Sequence, residues 1–324
     1  MFGGLQANAL SQIEIARVLI GSHEDVVKAQ PTDRRGAVRV YAVASCVTRL
    51  YAIYERFVVS LVSDFLDSLP ELISYSDLSE KLKNEYRLGI SYILGRIDRD
   101  RYNHLTHENV ILWYHEAISN APNYRFVTEA LTRHEQNLRL NIVESLVSRL
   151  DHGGVREWLT NNEDICVLYE EQTAVIEQLD AELRGFVQVR NDAAHGNLQS
   201  LEGRDNLVRY CSLMSALIRA LAAYFSKILL QYRVRAGKSK RLGIVTEVFP
   251  KANAFIVQVQ SGCVLGRGLQ VHMVSSNQYR SDAIISIQVR GQDVHQIAAD
   301  GDAFEVGLRC TVIPRRNVEL YVDT

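Results

Sequence analysis

The chain has 324 residues, 47% of them hydrophobic and 23% charged, with a net charge of −2. That length leaves room for two domains, and the balance excludes a disordered or collagen-like chain. It also excludes a protein that gathers nucleic acid by overall charge, though a local basic patch stays open. No run of 18 apolar residues lacks charge, so no membrane span is expected. The opening "MFGGLQANALSQIEIARVL" has no basic segment ahead of an apolar one and does not read as a secretory signal. Cys46, Cys166, Cys211, Cys263 and Cys310 are scattered and odd in number, with no C-x-x-C pair. They fit small buried side chains in a reducing compartment rather than a disulfide framework or zinc site. The expected setting is cytoplasmic.

The first 235 residues or so follow a helical period. In "AVASCVTRLYAIYERFVVSLVSDFL" the positions Val43, Val47, Leu50, Tyr54, Phe57, Leu61 and Phe65 recur at steps of three or four, one face of a long helix. "NLRLNIVESLVSRL" and "VLYEEQTAVIEQLDAELRGFVQV" predict two more helices. "DNLVRYCSLMSALIRALAAYFSKILLQY" predicts another, with Leu207, Tyr210, Met214, Leu217, Leu221, Phe225 and Ile228 along one side. Pro31, Pro70 and Pro122 fall where connections are expected. Long amphipathic faces of this kind pack as a bundle.

The junction "QYRVRAGKSKRLG" places Arg233, Arg235, Lys238, Lys240 and Arg241 together without an acidic residue. One reading is a patch that contacts RNA phosphates. The other is a solvated helix end, where cations offset the dipole, followed by a linker. After Lys240 the period changes to two. "RLGIVTEVF", "AFIVQVQ", "AIISIQV", "AFEVGLRCTVI" and "VELYV" are short, rich in Val and Ile, and separated by turn formers. They predict a small antiparallel barrel, since closure removes exposed edges.

The stretch "VQVRNDAAHGNL" brings Arg190, Asn191 and His195 together ahead of Gly196. On spacing alone it reads as a helix end, with glycine in the left-handed position and histidine near the terminal carbonyls. It also holds what RNA cleavage without a metal requires. A histidine can move a proton near neutral pH, and a guanidinium fork fits the oxygens of a charged phosphorane. Asn191 and His195, four apart, share a helix face. Arg190 and His195 are separated by about 140° around an ideal helix, so one helix aims them poorly at a single phosphate. A site shared across a twofold axis aims them well.

"RNDAAHG" resembles the signature of HEPN domains, an Arg commonly followed by Asn, Asp or His, with a His four to six residues after the Arg. "LYAIYERFVVSLVSDFL" resembles the early helix of the RiboL-PSP branch of that superfamily, with an aromatic residue and Glu55 ahead of an aromatic-aliphatic run. "HEQNLRLNIVESLVSRL" resembles its middle segment, an Asn-Leu followed by a helix. The resemblance implies an all-α fold, a homodimer and a metal-independent endoribonuclease acting on RNA, often tRNA. It also implies a role in toxin or anti-phage systems, where a neutralising or defence-complex protein is a further partner. By position the catalytic residues are Arg190, Asn191 and His195. Glu55 is an auxiliary candidate, with an exposed or ion-paired Glu as its bland alternative.

Residues 241–322 resemble the second domain of elongation factor Tu and related translation factors. The match runs from "GIVTEVFPKANAFIVQVQ" to a bridging "A-x-x-G-D-x-x-x-V-G-L" element. It implies a barrel without catalytic machinery, reading a target or docking a partner. The expected layout is therefore multidomain, an all-α HEPN-like bundle over 1–235 followed by a β-barrel over 241–324. The competing reading of the whole is a HEPN module that binds RNA or protein without cutting.

Other constellations are weak. His104, His107 and His115 in "NHLTHENVILWYHEA" could suggest metal ligands, but no nearby carboxylate or Cys completes a first shell with them, and they read as helix N-terminal histidines. Most of the fifteen tyrosines fall on apolar faces and read as core. There is no P-loop, dinucleotide fingerprint or G-x-S-x-G elbow, and no cofactor is expected.

Overall fold

In the computed structural model, residues 1–196, 202–299 and 304–324 are described. The helices run in chain order as α1 (Gly3–Lys28), α2 (Arg35–Ser68), α3 (Glu80–Leu94), α4 (His107–Ile118) and α5 (Glu129–Thr132). They continue as α6 (Leu140–Arg149), α7 (Val155–Asn161), α8 (Glu163–Cys166), α9 (Val175–Ala194) and α10 (Arg204–Arg235). The stripe on α2 does what its period demands: Val43, Val47, Leu50, Tyr54, Phe57, Leu61 and Phe65 are all buried. Each such side chain removed from water contributes roughly 1.5–3 kcal/mol, so α2 is the axis of the bundle. It packs against α1 and α9. Phe186 of α9 sits between the rings of Tyr51 and Tyr210, with centroids 6.5 and 5.0 Å away. The Arg209 guanidinium of α10 binds both oxygens of Glu182 on α9, at 2.6 and 2.9 Å.

Pro31, Pro70 and Pro122 lie in connections, as the period implies. The helix expected from Val167 starts only at Val175. Gln172 Nε2 donates to the Cys166 and Tyr169 carbonyls, and Arg209 takes that of Leu168, so side chains hold the chain out of the α-helix until a short 3-10 turn at Gln172–Ala174 leads into α9. Among the described residues α10 alone is long and apolar enough to cross a membrane, and 83% of its most apolar stretch is buried in the protein. That is a core helix.

The chain divides into compact units, Met1–Ala222 and Ala223–Thr324, with the division inside α10. In the second unit the strands are β1 (Ser239–Phe249), β2 (Ala254–Val259), β3 (Val264–Gly266), β4 (Gln270–Val274) and β5 (Tyr279–Ala283). They continue as β6 (Ser286–Val289), β7 (Gln292–Val294), β8 (Gln296–Ala298), β9 (Phe304–Arg309) and β10 (Glu319–Asp323). The main sheet is antiparallel in the order β5-β4-β10-β1-β2-β9-β6-β7, and β3 pairs with β8.

The sheet curls because one stretch of chain serves both ends. β5 pairs with β4, and after Ile284 and Ile285 β6 pairs with β9. No ladder joins β5 to β6, so the ring is not complete and "barrel" describes the curl rather than full closure. Alternate residues face inward, with Phe255, Val257 and Val259 on β2, Val306 and Leu308 on β9, and Leu320 and Val322 on β10. At Gly243 a Cβ would fall on the Gln258 carbonyl, and the β1–β10 register slips there. Only glycine admits so close a strand.

Candidate functional site

Helix α9 ends where the glycine rule puts the end. His195 is its C-cap, and Gly196 follows with φ +71°. The His195 N–H donates to the Asn191 carbonyl at 3.0 Å. Its ring is exposed and forms no hydrogen bond or ion pair among the described residues. Asn197 and Leu198, which close the stretch quoted above, lie outside the described residues.

One turn earlier, α9 turns Arg190 and Asn191 toward α2 and the segment before α6. The Arg190 guanidinium lies over the Tyr51 ring, 4.4 Å from its centroid. Its Nη1 donates to Asn137 Oδ1 at 3.2 Å and Asn191 Oδ1 at 3.1 Å, and Asn137 Nδ2 donates to the same Asn191 oxygen at 3.0 Å. No carboxylate among the described residues comes within ion-pair reach of Arg190, and its Nε is buried without a bond. The two amides and the aromatic face thus fix the fork without neutralising it.

Glu55 joins this group. It lies one turn beyond Tyr51 on α2, and Tyr51 Oη donates to its Oε1 at 3.0 Å while accepting from the Leu138 N–H at 3.0 Å. Burial pushes the Tyr51 phenol up to about 12, so it stays a donor at physiological pH. His134 Nε2 lies 3.2 Å from the same Glu55 oxygen, and His134 Nδ1 faces the Thr132 carbonyl at 3.1 Å. The His134 hydrogen bond, helped by Tyr51 against partial burial, holds Glu55 below its ordinary value. The same bond raises His134 above its own. Glu55, His134, Glu135, Gln136, Asn137 and Arg139 line a cleft of about 370 Å³. Its placement depends on Gly89 of α3, where a Cβ would strike the Ala130 carbonyl, because α5 lies directly against α3 just before His134.

The structure therefore gathers Arg190, Asn191 and Glu55 and leaves the His195 ring outside their hydrogen bonds. It adds Tyr51 and His134, which the sequence reading did not single out, and Asn137, which it noted only in the Asn-Leu of the middle segment. Asn137 and His134 both lie in the quoted "HEQNL" segment, and Tyr51 precedes Glu55 by four, the helical spacing that places two side chains together.

The basic junction is broken up by partners distant in sequence. Arg233 pairs with Asp323 at 3.1 Å and Arg241 with Glu319 at 2.9 Å, both carboxylates on β10. Lys240 Nζ donates to the Gly262 carbonyl at 2.7 Å. Arg235 and Lys238 are exposed, so the cluster is not a continuous row of unneutralised cations. His104 pairs with Glu129 at 2.6 Å, and His107 begins α4. Among the described residues no three His, Cys, Asp or Glu side chains gather as metal ligands. All five cysteines are free. The Gly301-Asp302 step of the element likened to translation factors lies outside the described residues.

Comparison with known proteins adds the following. Residues 10–234 match the model of the MAE_28990-like HEPN family. No curated protein matches the chain significantly. Among solved structures, the C-terminal domain of a putative U32 peptidase from Geobacillus thermoleovorans aligns with 14% identity and a TM-score of 0.23, over 26% of this chain and 99% of that one.

Proposed function

The chain belongs to the MAE_28990-like HEPN family, and from that premise we propose that it is a metal-independent endoribonuclease acting as a homodimer. The observation that carries this reading is the Arg190 fork, pinned by Asn137 and Asn191 over Tyr51 beside a polar cleft and in no ion pair with a carboxylate among the described residues. A fixed guanidinium without a carboxylate partner is preorganised for the charge of a phosphorane. The nucleophile is the RNA's own 2′-hydroxyl, so no activated water is needed. His195 takes the 2′-hydroxyl proton, Arg190 holds the equatorial oxygens, and Asn191 orients Arg190.

Because the His195 ring does not enter the Arg190 network of its own chain, the working site uses His195 of a second copy. Self-association is supported by the apolar side chains that α1 exposes: Ile15 at 59%, Val18 at 67% and Leu19 at 65%. In this reading the enzyme works in the cytoplasm on RNA, tRNA among its candidates, as a toxin or defence effector. The C-terminal unit selects the target or docks a neutralising partner. The second reading, a HEPN module that binds RNA without cutting, is favoured by that same separation of His195 from Arg190.

The test is incubation of the purified full chain with mixed RNA in excess EDTA, with sequencing and chemical mapping of the ends. The expected products carry a 2′,3′-cyclic phosphate and a 5′-hydroxyl, and DNA is not cut. His195→Ala retains RNA binding and loses cleavage. Cleavage restored only by added magnesium, or equal cutting of DNA, defeats the mechanism. Binding without cleavage selects the second reading.

A further inference from the structure

Cleavage by the 2′-hydroxyl needs two proton transfers, and the Arg-Asn-His motif accounts for one. The hydrogen bonds around Glu55 determine the protonation of a second imidazole. The Thr132 carbonyl can only accept, so His134 Nδ1 carries a proton to meet it at 3.1 Å. Tyr51 Oη already accepts from the Leu138 N–H and therefore gives its own proton to Glu55 Oε1. That oxygen belongs to a carboxylate that these bonds hold below its ordinary value and so ionised, and the His134 Nε2 that faces it at 3.2 Å donates to it. The ring is held as an imidazolium, with one proton pointing at a carboxylate on the wall of an open cleft. Its side chain is 16% exposed, enough for a substrate oxygen to reach the edge of the ring. Asn137, on the same cleft, accepts directly from Arg190, so the guanidinium lies one hydrogen bond from that space.

We propose that His134 is the catalytic residue that protonates the leaving 5′-oxygen, and that Glu55 is the positioning residue that keeps it charged; this rests on the endoribonuclease reading above. The step balances. The O2′–P bond forms as the 2′-oxygen gives its proton to His195. The P–O5′ bond breaks as O5′ displaces Glu55 Oε1 as the acceptor of the His134 Nε2 proton and takes that proton, with Nδ1 still held by the Thr132 carbonyl. Bulk water then returns a proton to His134 and takes one from His195, and nothing is oxidised or reduced.

The groups around His134 are Glu55 from α2, Tyr92 and Arg96 from α3 and the turn after it, Arg133, Glu135 and Arg139 from its own segment, and Arg149 from α6, while Tyr51 and Arg190 act on Glu55. Glu55 favours the charged ring and Arg149 opposes it. Tyr92 Oη holds Glu135 at 2.6 Å, which leaves Glu55 as the carboxylate bonded to the ring. An acid of this kind works below its raised pKa and fails as pH rises through it.

The test uses the full chain and two RNAs, one ordinary and one with a bridging 5′-sulfur at the scissile bond. A thiolate leaves without being protonated, so only the ordinary RNA needs the acid. His134→Gln is expected to slow cleavage of ordinary RNA by roughly 10²–10⁴-fold while cutting the sulfur RNA near the wild-type rate. Glu55→Gln, which leaves the ring in place, is expected to move the alkaline limb of the pH–rate profile to lower pH. It also serves should His134→Gln fail to give a wild-type melting curve. Equal loss on both RNAs, or an unmoved alkaline limb in Glu55→Gln, overturns the assignment. Wild-type-like cleavage by His134→Gln overturns it and leaves the endoribonuclease reading standing. A wild-type chain that cuts neither RNA removes that reading, and the assignment with it.

Discussion

Tyr51 and Tyr54 lie one turn apart on α2, both buried, and the same substitution is expected to move stability in opposite directions. The Tyr51 hydroxyl accepts from the Leu138 N–H at 3.0 Å, and Leu138 is fully buried. In Tyr51→Phe that N–H has no acceptor and no water. An unsatisfied buried donor costs about 1–3 kcal/mol. The bond lost to Glu55 adds little, because Glu55 is 36% exposed and water replaces the donor. The Tyr54 hydroxyl is buried without a partner among the described residues, and burial pushes its pKa upward. Tyr54→Phe removes an unsatisfied group, so stability stays level or rises by up to about 1 kcal/mol. For a unit the size of Met1–Ala222, each kcal/mol shifts Tm by roughly 2–4 °C. Thermal and urea unfolding of both variants, followed by circular dichroism at the helical band, reads the difference. Equal losses in the two, or a Tyr51→Phe loss below about 0.3 kcal/mol, would refute the hydrogen-bond accounting.

Arg190→Lys should bind RNA yet cut it at least tenfold more slowly in single-turnover assays, since an ammonium neither stacks on Tyr51 nor offers a fork; near-wild-type rates would discount Arg190 as the phosphate ligand. Gly89→Ala should lower stability by about 1–3 kcal/mol in urea unfolding, through overpacking against the Ala130 carbonyl, and should slow cleavage by shifting the His134 segment. Asp282 accepts from Thr311 Oγ1, Val312 N and Ala283 N at 2.6, 2.7 and 2.8 Å, which outweigh its partial burial and hold its carboxyl below the usual value. A depressed folded pKa contributes stability above the unfolded value that is lost as pH falls through the folded one. The second unit should therefore lose stability on the acid side, and Asp282→Asn should flatten that part of a Tm-against-pH curve.

Local pattern decided much of this protein. The three-and-four stripe of α2, the left-handed Gly196 that ends α9 and the period-two runs of β1, β2, β9 and β10 are each set within one segment. There the chain itself imposes the geometry. β4 and β5 were not legible in the same way. "YRSDA" has no apolar alternation and is a strand because β4 lies beside it. The end of α10 likewise reads as part of the helical bundle but goes with the second unit, where Lys227 Nζ donates to the Ser275 and Ser276 carbonyls at 2.9 and 2.8 Å.

At the site, Arg190, Asn191 and Glu55 were visible as residue types at helical spacing. Their partners were not, because Asn137 stands 53 positions from Arg190 and His134 stands 79 from Glu55. The acidic partners of the basic junction come from β10, so two members of a run read as a phosphate patch or a solvated helix end, Arg233 and Arg241, are in ion pairs. Sequence by itself determined which helix carries the Arg-Asn-x-x-x-His stretch and where that helix stops. Only the tertiary structure decided that no carboxylate among the described residues ion-pairs with the Arg190 fork, and that His134 bonds to Glu55 on a cleft that Asn137 also lines. Hydrogen bonds and electrostatic fields depend on distances in space, and those exist only once the chain has packed.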